Sequence, residues 1–109
     1  MHEMAITESV VTAVSEQTAG SRVVGITMKI GTLSGVVPDS VRFCFDLCVA
    51  GTSMQGARLD IIEIPGRAHC RGCGLDVDLP DLIPLCTCGS VDLDIVSGQE
   101  LMIKHVEVA

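Results

Sequence analysis

Four cysteines in two close pairs, Cys70-x-x-Cys73-Gly and Cys86-x-Cys88-Gly, are the strongest chemical signal in the chain. Thiolates are soft ligands. Four of them gathered by two tight turns close a tetrahedral shell around Zn(II), and a shell with no open position is structural rather than catalytic. A redox pair or unrelated buried thiols are the alternatives, but short spacings in a reducing compartment read first as metal ligands. The second pair, Cys86-Thr87-Cys88, has a one-residue spacer, so the turn that offers backbone N–H groups to sulfur should be altered there. His69, beside Cys70, could substitute as a ligand; an exposed loop histidine is the plainer reading.

The second signal is positional. Met1-His2-Glu3 sets an imidazole one residue from an α-amine, a group with an ordinary pKa of about 7.7–8.0, so a metal competes for it readily near neutral pH. With the imidazole and deprotonated backbone amides it offers a planar set of nitrogens, which suits Ni(II) or Cu(II) and suits Zn(II) poorly. Taken alone, a histidine at position 2 is often an accident of a frayed terminus. Cys44 and Cys48, one helical turn apart, have a spacing that could grip a metal. They also fall on an apolar face beside Val41 and Phe45, where free cysteine packs as a small hydrophobe, and that reading is preferred.

The elements that must position these groups follow from periodicity. Ile6, Val10, Ala13, Val14 and Gln17 recur at helical spacing, so residues 4–19 predict an amphipathic helix stopped by Gly20. Val24, Ile26, Met28 and Ile30 alternate with Gly25, Thr27 and Lys29, the period of a half-buried strand. Pro38 and Asp39 suit the first turn of a second helix, whose Val41, Cys44, Phe45 and Cys48 should face the core before it ends near Gly51. Leu59 to Ile64 reads as a strand closed by Pro65-Gly66, and Glu100 to Val108 as a last strand returning to the first sheet. Between them, residues 65–98 lack long apolar periods and form a separate lobe.

The 109 residues fit one modest core plus that lobe, which is too small to fold without a metal. Phe43 and Phe45 are the only aromatics, leaving no platform for stacking bases, and the net charge of −7 repels nucleic acid and anionic membranes. Cation handling or a basic protein partner fits better. No apolar run has the length of a membrane span and the start lacks a secretory pattern, so a cytoplasmic protein is expected. An enzyme using His2 and Glu3 as acid and base finds no supporting nucleophile or cofactor loop, and a zinc-ribbon interaction module remains the main competitor.

Five blocks in order resemble the HypA/HybF family of hydrogenase nickel-insertion proteins. They are Met1-His2-Glu3, the stretch from Gly31 to Asp39, Gly51-Thr52 with Gly56 to Leu59, the cysteine pairs, and Gly98 to Val108. Relatives usually carry a two-residue spacer in the second pair. The resemblance implies an α+β fold of two helices packed on a small mixed three-stranded sheet with an inserted zinc-ribbon-like lobe. Residues 1–64 and 99–109 would be the nickel-binding domain and 65–98 the zinc-binding domain. It also implies Ni(II) as transported cargo at Met1, His2 and Glu3. His2 would be the side-chain ligand, with the Glu3 side chain facing a partner or the ligands. Structural Zn(II) would sit on Cys70, Cys73, Cys86 and Cys88. The expected partners are a hydrogenase-maturation GTPase and the large subunit of [NiFe] hydrogenase, with urease a further destination in some members. A non-enzymatic monomer or weak homodimer is expected.

Overall fold

The computed structural model describes residues 2–109. Helix α1 spans Glu3–Thr18, strand β1 Val23–Gly31, helix α2 Pro38–Val49 and strand β2 Arg58–Ile64. Strands β3 (Gly66–Cys70), β4 (Asp76–Leu79) and β5 (Leu93–Ser97) follow, and β6 (Leu101–Val108) closes the chain. The first sheet has the order β2-β1-β6, with β1 parallel to β2 and antiparallel to β6. A parallel pair needs a long crossover, and α2 supplies it. The expected fold class is therefore what the chain adopts: two helices on a small mixed three-stranded sheet. The second sheet, order β4-β3-β5, is antiparallel throughout and is inserted before the last strand.

Ile26, Met28 and Ile30 of β1 are buried together with Val14 of α1 and Val41, Phe45 and Val49 of α2. Two details differ from the periodicity. Val24 is 40% exposed and Val23 fully buried, because a bulge in the pairing with β6 sets Val23 opposite Val108 and Gly25 opposite Glu107. The unpaired extra residue reverses the alternation at that end of the strand. On α1, Val14 is buried and Ile6 and Val10 pack on the core as expected, but Ala13 and Gln17 are exposed and Thr7 takes an inward place instead. Thr7 is buried without loss because its hydroxyl donates to the Glu3 carbonyl at 2.7 Å. The helix ends at Thr18, one residue early, with Ala19 (φ 49°) and Gly20 (φ 79°) both left-handed.

The two lobes meet where three backbones converge. Gly31 N–H donates to Glu100 C=O and Leu33 N–H to Gly98 C=O, both at 2.7 Å, and Gly66 N–H donates to the Thr32 hydroxyl at 3.0 Å. Only Pro65 separates β2 from β3. Gly98 is left-handed (φ 105°), and a Cβ there would lie 2.6 Å from Gly66 Cα. Glycine is thus required by both conformation and space.

Candidate metal centre

The sulfurs of Cys70, Cys73, Cys86 and Cys88 lie within 4.8 Å of one another. Cys70 to Cys88 and Cys73 to Cys86 are each 3.7 Å apart. A tetrahedral ion with bonds of about 2.3 Å to sulfur separates its ligands by about 3.8 Å, so the donor set matches in type, number and spacing. The cluster could hold a metal such as zinc.

Two turns make it. After Cys70, the Gly74 N–H returns to the Cys70 carbonyl at 2.8 Å, and after Cys86 the Gly89 N–H returns to the Cys86 carbonyl at 2.9 Å. The shortened pair keeps a donor for sulfur, since Cys88 N–H points at Cys86 Sγ at 3.5 Å. Arg71, between the first two cysteines, was not singled out by sequence. Its Nε donates to Asp92 at 2.8 Å and it also pairs with Asp94, tying the first turn to the start of β5. The alternation Asp92-x-Asp94, which puts both carboxylates on one face of a strand, was the available signal.

The thiols share their protons unequally. The Cys73 backbone N–H draws the Cys70 thiol down to about 6. Cys88, although its sulfur accepts the Ser90 N–H, is pushed up to about 12 by the adjoining Cys86 and Cys70 sulfurs. Sulfurs this close do not all ionise without a cation among them.

His69 does not join the cluster. It lies on strand β3 rather than in a loop, and its Nδ1 is 2.9 Å from Asp76 on β4. His105 pairs with the Thr27 hydroxyl at 3.1 Å.

The N-terminal group sits in the other lobe. Met1 lies outside the described residues. His2 is exposed and occupies the position before the first turn of α1, where its carbonyl accepts the Ile6 N–H at 3.1 Å. Glu3 begins the helix, and its Oε2 accepts the Val37 N–H at 3.4 Å, at the residue that precedes α2. A shallow groove of about 560 Å³ brings His2, Glu3 and Met4 together with Asp39, Ser40, Phe43 and Cys44. That Glu3 reaches the start of α2 had no sequence signal, because the two residues lie 34 positions apart.

Residues 1–108 match the family model described as hydrogenase/urease nickel incorporation, metallochaperone, hypA. The chain belongs to the HypA family. It is 52% identical over 108 residues to the hydrogenase maturation factor HypA of Nostoc sp. (strain PCC 7120), a match covering 99% of this chain and 96% of the relative. The HypA of Geobacter metallireducens is 45% identical over 109 residues, with 99% of both chains covered. The solution structure of the Ni metallochaperone HypA from Helicobacter pylori superposes with a TM-score of 0.65 at 19% identity, covering 99% of this chain and 97% of that one. A second HypA solution structure gives 0.68, also at 19% identity. At that identity the structures speak for a shared HypA fold, while the family match carries the function: a metallochaperone for nickel incorporation. The five-block resemblance seen in the sequence is correct.

Proposed function

We propose that this chain carries Ni(II) at its N-terminus, bound by the His2 imidazole, the Met1 amine and the backbone nitrogens of His2 and Glu3, and hands it on during [NiFe] hydrogenase maturation. The observation that carries this reading is the start of α1. A helix leaves its first four N–H groups without intrahelical partners, and here the helix opens at Glu3 beside an exposed His2. The imidazole is therefore on the surface, and the amides that must lose protons have no intrahelical partner to give up. Planar nitrogen ligation favours Ni(II) over Zn(II), which separates cargo from structural ion. The family description naming nickel incorporation supports the same assignment.

Cys70, Cys73, Cys86 and Cys88 would hold Zn(II), which supplies a cross-link and no open coordination position. Residues 65–98 form the zinc-binding domain on this reading, and 1–64 with 99–109 the nickel-binding domain. The chain is a carrier rather than an enzyme and works where thiols stay reduced, in the cytoplasm. Its recipients are a maturation GTPase and the hydrogenase large subunit, with urease a second destination, and it acts as a monomer or weak homodimer. Among the described residues, no helix is long and apolar enough to cross a membrane.

Nickel titration with zinc analysis tests this. His2→Ala, and separately a chain extended ahead of Met1, should lose Ni(II) binding and keep zinc near one per chain. Unchanged nickel affinity in both would end the proposal.

A further inference from the structure

Two sulfurs outside the four-cysteine cluster meet between the helices, with a third one helical turn away. The Cys48 thiol of α2 lies 3.5 Å from the Met4 thioether of α1, a contact across 44 residues of sequence. Cys44 stands one turn earlier on the same helix, buried at 8% exposure. Met4 lines two adjoining grooves, one shared with Cys48 and Glu8, the other with Cys44 and His2. It touches Cys48, shares a groove with Cys44 and, at 39% exposure, remains open to solvent.

We propose that Met4, Cys44 and Cys48 form a second metal site, selective for a soft monovalent cation, Cu(I), and independent of the nickel terminus. Sulfurs sharing one ion lie no farther apart than about 4.6 Å, twice a metal–sulfur bond of about 2.3 Å, and the Met4–Cys48 separation is inside that limit. Two thiolates and a thioether are the donor set that prefers Cu(I), whereas Ni(II) does better with planar nitrogens. Glu8, on the same groove, adds a negative field that favours a cation there. On binding, two S–H bonds are replaced by Cu–S bonds, both protons pass to solvent, and copper does not change oxidation state.

The test is an anaerobic titration of the full, zinc-loaded chain with Cu(I) against a chromophoric Cu(I) chelator, with a dye reporting released zinc. The first equivalent of Cu(I) should bind before any zinc appears. Met4→Leu and Cys48→Ser, with zinc content and circular dichroism as folding controls, should each weaken that equivalent at least tenfold. His2→Ala should lose nickel and keep copper, which distinguishes failure of this site from failure of the nickel reading. Zinc release in step with the first copper equivalent, coincident curves for wild type and Cys48→Ser, or loss of copper in His2→Ala would each overturn the proposal.

Discussion

Glu3 Oε2 accepts the Val37 N–H at 3.4 Å, so the first residue of α1 is tied to the residue that precedes α2. The carboxylate meets an otherwise orphaned donor of one helix while its own charge sits at the positive end of the other. It thereby holds the start of α1, and the backbone nitrogens proposed to bind nickel, against the body of the protein.

Glu3→Ala should loosen that start, lowering stability by about 0.3–1 kcal/mol, the usual size of a charge at a helix N-terminus. Nickel affinity should fall several-fold with stoichiometry unchanged, because the side chain positions the ligands without being one. Glu3→Gln, which keeps an acceptor oxygen, should fall between. Isothermal titration and urea unfolding measure both effects, and a complete loss of nickel in Glu3→Gln would make the Glu3 carboxylate a ligand as well.

Gly98→Ala should destabilise the chain by about 1–3 kcal/mol, the range for a side chain forced into left-handed backbone, with the contact to Gly66 adding to it. Thermal unfolding reports it. A stability equal to wild type would mean that the lobes do not meet at Gly31, Gly66 and Gly98.

Zinc removal should act on one lobe only. The segment Gly66–Ser97 has buried side chains at Ala68, Cys70, Leu79 and Cys86, a core too small to hold by itself. Chelation should therefore release its amide protection in hydrogen exchange while β1 and the inner faces of α1 and α2 stay protected. Uniform protection after complete removal of zinc would show that the lobe folds without metal.

Cys48 gives a pH prediction. Burial first, then Glu8 and Cys44, raise its thiol above the ordinary value. A raised thiol is protonated at neutral pH and gains nucleophilicity only as pH climbs through its own higher pKa. Alkylation of Cys48 by iodoacetamide in the zinc-loaded protein should thus show an inflection above about 8.5, the value for a free cysteine. Glu8→Gln removes a negative charge and should move the inflection down. An inflection unmoved by that change would remove Glu8 from the groove.

Much of this was legible in the residues. Helical and strand periods located both helices, β1, β2 and β6, and the cysteine spacings located the four-sulfur cluster, because each signal is local. What escaped were relationships between distant segments. The bulge that buries Val23 and exposes Val24 arises in the pairing of β1 with β6 and leaves no mark on β1 alone. Cys48 was expected in the core from its helical spacing, yet it lies half-buried against Met4, since α1 covers only part of that face of α2. Arg71 and its two aspartates, and Glu3 with Val37, depend on how separate elements dock. The identity of the fold and family came from the order of five motifs, a pattern that physics of single elements does not supply.

Three histidines make the central claim separable by one measurement: amide and side-chain NMR of the labelled, zinc-loaded chain during Ni(II) titration. His2 is exposed at the start of α1, His69 is held by Asp76, and His105 by Thr27. The account predicts that the first equivalent perturbs His2 and Glu3, with smaller changes at Val37 and the groove residues Asp39 and Ser40, and leaves His69 and His105 unmoved. Saturation at His69–Asp76 or Thr27–His105 with His2 unaffected would contradict it.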